Sequence, residues 1–155
     1  MENNEKVINI LNDLVQINND RIRGYEKAIE DTKSEDSEYD TLFQEMIDQS
    51  NQYKHELIRE INTLDGDANK NSTTNSGKIY RAWMDVKSAF QGKSEKSALE
   101  LCEFGEDAAQ KAYEDALSTD SLPASTRQLL LSQKSKLKES HDIIKRNRDL
   151  QKAHS

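Results

Sequence analysis

Apolar residues recur at helical spacing along four long stretches of the chain, and nowhere do they alternate in the manner of a strand. In the first stretch Val7, Leu11, Leu14, Ile22, Tyr25 and Ile29 mark one face, which predicts a helix over roughly residues 5–32. The polar run from Thr32 to Ser37 ends it, and Ser37 is placed to cap a second helix. That helix runs to about Leu64, with Phe43, Met46, Tyr53, Leu57, Ile61 and Leu64 on its inner face. So short a link predicts antiparallel neighbours.

From Asp65 to Gly77 the composition turns to Asp, Asn, Ser, Thr and Gly, which predicts a mobile loop over 65–77. Asp65-Gly66-Asp67 starts like a calcium loop but lacks its later acidic ligands. A short amphipathic helix should follow, with Ile79, Trp83, Val86 and Phe90 in register, stopped by Gly92. A third long helix is expected over about residues 94–118. The fourth starts near Leu122-Pro123 and carries Leu130, Leu137 and Ile144 toward a frayed, charged tail at 149–155. The roughly 30 residues between the second and third helices can run the length of a bundle, which would make those helices parallel. The predicted fold is all-α. It is a ferritin-like four-helix bundle, two antiparallel hairpins joined by a long crossover carrying a short helix. One domain is expected over 1–155, with the bundle at about 5–148.

Projection at about 100° per residue separates the polar residues that face inward from those that do not. On the first helix Asn18 falls within the apolar stripe and Glu26 at its edge. On the second Ser50 faces inward, while His55 projects away. The third carries a line of small residues, Ala98, Gly105, Ala109, Ala112 and Ala116, which would let a neighbouring helix approach closely. Beside it a second row holds Leu99, Cys102, Tyr113 and Leu117, with Glu106 inside it and Glu103 and Glu114 outside. The fourth helix reads Thr126, Leu130, Gln133, Leu137, His141 and Ile144 along one stripe.

Glu26, Glu106 and His141 are therefore the candidate metal ligands, with Glu103 as a further acid. Bundles that hold two iron or manganese ions need a Glu on each of two helices and Glu-x-x-His on each of the others. Gln52-x-x-His55 and Lys138-x-x-His141 both lack the Glu. Measured from the turn between the third and fourth helices, Glu106 and His141 should also differ by roughly 10 Å in height. A structural polar network, with His141 near Glu26 and Glu106 near Gln133, is the plainer expectation.

Charge and composition narrow the function classes. The net charge of −7 argues against nucleic acid, which needs clustered Lys and Arg. No apolar run approaches the roughly 20 residues that span a bilayer. The opening Met1-Glu2-Asn3-Asn4-Glu5 does not read as a secretory signal, and Cys102 is the single cysteine. A cytoplasmic protein is expected, and Cys102 on an apolar row should be a packed thiol.

The third helix reads Leu101-Cys102-Glu103-Phe104-Gly105-Glu106-Asp107-Ala108 and then Tyr113-Glu114-Asp115-Ala116-Leu117. With Tyr80-Arg81-Ala82-Trp83 before it and Ser140-His141-Asp142 after it, the chain resembles the bacterial ferritin-like family known as domain of unknown function 2383, over roughly residues 5–148. The resemblance implies a bundle with a crossover between its second and third helices, and it implies no activity. The reading of the whole is a non-enzymatic structural or interaction protein, with a stress-related setting. The alternative is a metal-binding or redox bundle with an incomplete iron or manganese site. The apolar face around Trp83 on the crossover helix is expected to dock along its own bundle, with a homodimer through that face as the alternative.

Overall fold

In the computed structural model the described residues form four long helices, α1 (Glu2–Asp31), α2 (Asp40–Thr63), α3 (Glu95–Leu117) and α4 (Ala124–Ala153). The structure describes residues 2–31, 39–66, 95–120 and 122–153, and no strand occurs among them. The expected cap at Ser37, the loop beyond Gly66 and the amphipathic segment with Trp83 lie outside the described residues. No helix among the described residues is long and apolar enough to cross a membrane.

Helix ends follow local chemistry. At the end of α2 the N–H of Asp65 donates to the Asn62 carbonyl at 3.0 Å, and that of Gly66 to the Ile61 carbonyl at 2.9 Å. These paired bonds close the last turn in the manner of a Schellman cap. Asp65 takes the left-handed conformation, φ 61°, that such a cap requires. A Cβ on Gly66 would stand 2.8 Å from Ile8 Cγ2, so glycine lets α1 lie against this end of α2. The Asp-Gly pair that composition assigns to a loop thus belongs to the helix terminus. At the other end of the chain, α4 stays helical to Ala153 where its charge predicts fraying. Arg148 there pairs with Glu103 of α3, tying the last turns back to the bundle.

Side-chain bonds give the helix directions. Arg21 of α1 reaches Ser50 of α2 while Ile8 lies near Gly66, so α1 and α2 are antiparallel. Along α3 and α4, Tyr113 pairs with Gln133 and Asp107 with His141, again antiparallel. Asn18 meets Tyr113 and Tyr25 meets Glu106, which makes α1 antiparallel to α3 as well. It follows that α2 and α3 are parallel, as the long connection between them predicts. The register of α3 on α4 differs from a symmetric turn. Pairing of Tyr113 with Gln133 puts the end of α3 level with a point roughly one and a half turns inside α4. Asp107 and His141 consequently stand side by side, and the height difference expected near this point disappears.

Two apolar clusters fill the bundle. One gathers Leu11, Leu14, Leu57, Ile61, Tyr113 and Leu130, among others, and the second gathers Tyr25, Phe43, Met46, Leu99, Cys102 and Ile144. Between them lies a layer of buried polar side chains. Burial on α1 is unbroken from Leu14 to Arg21, so this helix is enclosed around its whole circumference there. An enclosed helix cannot announce itself by a single apolar stripe, and α1 accordingly buries Asn12, Gln16, Asn19 and Asp20 as well.

The line of small residues on α3 behaves as its volumes suggest. Ala112 and Ala116 face Ile10, Leu14 and Ile17 of α1 across a narrow groove, and Gly105 is buried in the same helix. Glu114 is exposed. Gly105→Leu is expected to lower stability by about 1–3 kcal/mol through overpacking. Glu114→Leu should leave the thermal midpoint within a degree or two, since surface changes stay within about 0.5 kcal/mol. Equal melting of the two variants would mean that Gly105 does not face a neighbour.

Candidate functional site

The polar layer is centred on Arg21 and Glu106, both fully buried. Arg21 Nε donates to Glu106 Oε1 at 2.5 Å, a short charge-assisted bond. The remaining guanidinium nitrogens turn to α2. Nη1 donates to Ser50 Oγ at 2.7 Å and to the Met46 carbonyl at 3.2 Å, and Nη2 donates to Gln49 Oε1 at 2.9 Å. The Tyr25 hydroxyl donates to the same Glu106 oxygen at 2.7 Å, and its ring lies 5.3 Å below the guanidinium carbon. Oε2 of Glu106 is buried and has no hydrogen-bond partner among the described residues.

From Ser50 the network runs on through the bundle. Ser50 Oγ donates to Asn18 Oδ1, and Asn18 Nδ2 donates to the Tyr113 hydroxyl at 3.0 Å. The Tyr113 hydroxyl donates to Gln133 Oε1 at 2.6 Å, and Gln133 Nε2 donates to Glu56 Oε1 and to the Tyr53 carbonyl. Ser140 closes the other branch by donating to Gln49 Oε1. All four helices contribute, so the layer fixes their mutual register as well as their polar bonding.

This environment controls the titrating groups. Burial is the largest influence on the Arg21 guanidinium and lowers it, but the Glu106 charge and hydrogen bond, with Tyr25 and Tyr53, together outweigh it, and the net movement is upward. Burial pushes the phenols of Tyr25, Tyr53 and Tyr113 up, with Glu106 adding to the rise at Tyr25, and Tyr53 reaches about 12. The Cys102 thiol is also raised, by burial first and then by Glu106, which leaves it an inert packed thiol, as its apolar row predicts. A phenol whose folded value exceeds its unfolded value of about 10 adds stability that is complete below that pH. The stability is lost as pH rises through the folded value. Helical circular dichroism should therefore hold to about pH 10 and fall between there and about 12. Tyrosinate absorbance should rise in the same window. Full ionisation near pH 10 with the helices intact would show that these phenols are not enclosed.

The sequence-derived ligands do not converge. Glu106 faces the core as expected, but its charge is taken by Arg21, and its hydroxyl partner is Tyr25 in place of Gln133. Glu26 is exposed, because the inward arc of α1 at this level is occupied by Arg21, Tyr25 and Ala28. His141 turns to α3 and lies 2.5 Å from Asp107 Oδ1, away from Glu26. The buried seam of α4 runs through Ser140 instead. Strict alternation of four- and three-residue steps from Thr126 through Leu130, Gln133 and Leu137 leads to Ser140 and then Ile144, and that was the signal in the sequence.

Arg21 is the residue that sequence reasoning missed. A long cation within an apolar stripe ordinarily reaches solvent, and nothing nearby in sequence marks its partner 85 positions on. Among the described residues, the group of metal-ligating types whose donor atoms come within 4.8 Å of one another is Glu103, Asp107 and His141.

A family model described as domain of unknown function (DUF2383) matches residues 6–119. The match covers α1 to α3 and stops before α4, short of the span to 148 that the resemblance suggested. No curated protein matches the chain.

Proposed function

The chain belongs to the DUF2383 family, and we propose that within it this protein is a non-enzymatic structural or interaction bundle, its interior closed to metal by a salt bridge. The observation that carries the reading is the bond between Arg21 and Glu106. In bundles that hold two metals, inward carboxylates at mid-height carry uncompensated negative charge for the ions. Here the inward acid is neutralised by a guanidinium that stays protonated at any physiological pH. A dication placed at Glu106 would stand within a few ångströms of that cation, in a medium that screens poorly.

The ferritin-like part of the proposal draws support from connectivity. Two antiparallel hairpins with α2 parallel to α3 are the arrangement of that group, and such likeness of fold carries no activity with it. A lone buried thiol suits a reducing cytoplasm.

The test offers the full-length protein iron and manganese, removes excess metal, and measures what remains by elemental analysis. Wild type and Glu106→Gln should retain equal amounts. Iron or manganese held by wild type and lost from a folded Glu106→Gln variant would overturn the proposal.

A further inference from the structure

Next to Glu106, on the side of α3 toward α4, stands a second group of titrating side chains. Glu103 and Asp107 are four residues apart, so they project from adjacent turns on one face of the helix. His141 comes across from α4, and the donor atoms of all three lie within 4.8 Å of one another. We propose that Glu103, Asp107 and His141 form a site for a single first-row transition-metal dication, and that zinc is the ion the ligand set suits best.

The distances are close to what one ion needs. With bonds of about 2.0–2.2 Å in a tetrahedral arrangement, two ligand atoms on the same zinc stand roughly 3.5 Å apart. A donor separation of at most 4.8 Å closes to that by side-chain rotation. The helices that carry the donors are themselves pinned. Tyr113 bonds Gln133 and Gln110 bonds the Lys134 carbonyl, within about two turns of the group.

His141 is oriented for the task. Its Nδ1 lies 3.2 Å from Asp142 Oδ1, while Nε2 faces Asp107 at 2.5 Å. With the proton on Nδ1 donated to Asp142, the Nε2 lone pair points at the two acids of α3. A carboxylate behind the ligating imidazole is the usual outer partner of a zinc histidine. An ion that enters between Nε2 and Asp107 Oδ1 needs the ring to draw back from its 2.5 Å approach.

The site is most open to solvent at Asp107. The side chain of Asp107 is 61% exposed, whereas those of His141 and Glu103 are 19% and 13% exposed. An ion can thus enter past Asp107 and keep water in its fourth position, the coordination of zinc sites with three protein ligands. Arg148 pairs with Glu103 and is the cation that a metal must displace; unlike Arg21 it stands partly exposed, so it can be released toward water. It also bonds Asp149 at 2.8 Å, so it has a partner to retain when a metal displaces it from Glu103. A mixed imidazole and carboxylate set favours zinc over magnesium or calcium, which take oxygen ligands, and over manganese and ferrous iron in the general order of affinities.

The proposal does not depend on the salt-bridged core, and the two fail separately. Isothermal titration of the full chain with zinc chloride should give one ion per chain. His141→Ala should weaken binding by more than about 100-fold, and loss of the outer partner in Asp142→Asn should weaken it about 10- to 100-fold. Arg148→Ala, which removes the competing cation, should strengthen it. His55→Ala, on the exposed side of α2, should leave it unchanged. His141 is partly exposed, so circular dichroism of His141→Ala should match wild type and exclude misfolding as the cause of any loss. Absence of zinc binding by wild type, or binding that persists undiminished in His141→Ala, would overturn the site. Metal held through Glu106 instead would overturn the proposal of a closed core and leave this one to the His141 result.

Discussion

Arg21→Met should destabilise the protein by about 3–5 kcal/mol, the usual cost of leaving a buried charge without its partner. For a chain of this length that is roughly 10 °C or more in the thermal midpoint. The change removes the one guanidinium that answers Glu106, and neither partner can turn to water, since both are fully buried. Glu106→Leu alone should cost a similar amount, now leaving the cation. The double variant Arg21→Met/Glu106→Leu should recover most of the loss, because replacing a whole buried pair by apolar groups is often neutral or better. Recovery should stop short of wild type, since Ser50, Gln49 and Tyr25 each lose a bond in the double variant. Denaturant unfolding of all three gives the coupling between the two sites directly. Additive losses would mean that the pair is not the closed unit drawn here.

Phe43→Ala is expected to cost about 3–5 kcal/mol, the range for emptying a fully enclosed aromatic site. Phe43 is completely buried at the α1–α2 end of the second apolar cluster. Its ring centroid lies 5.7 Å from that of Tyr25 and 6.2 Å from that of Tyr39. Tyr25 is held through its hydroxyl by Glu106, so it cannot swing freely into the space left behind. The cavity should therefore stay partly open, and the loss should lie toward the upper part of the range. Phe104→Ala is the contrast. That ring is 40% exposed on α3, and its removal should change stability by no more than about 0.5 kcal/mol. The urea midpoint should move for Phe43→Ala with an unchanged slope, which would report lost stability and not a changed unfolded state. Equal midpoints for the two variants would place Phe43 outside the core.

The two substitutions act on different layers of one bundle, and that layering was only half legible beforehand. Asn18, Ser50, Glu106 and Gln133 were all assigned inward from helical phase, and all four are buried. Helical phase does not single out Arg21, because long cations usually reach water, and it sets Glu26 at the edge of the stripe that includes Ile22 and Ile29. Those two isoleucines prove to be only partly buried, so the arc they defined was rotated toward solvent.

What the amino-acid order determined alone is what depends on near neighbours. The helices, their approximate ends, the small-residue line on α3 and the parallel sense of α2 and α3 all follow from periodicity, turn chemistry and connection length. The tertiary structure decided which side chains meet. Helical phase says that Glu106 points inward, but only the packed bundle puts Arg21 opposite it. Likewise the wheel places His141 near the seam, yet its partner is set by how far α4 is staggered against α3. Stagger and rotation are collective: each helix settles where the volumes of three others allow, and a shift of one turn, about 5.4 Å, exchanges every partner along the contact. No local stretch of sequence carries that information, because the free energy that selects the register is spread over the whole interface.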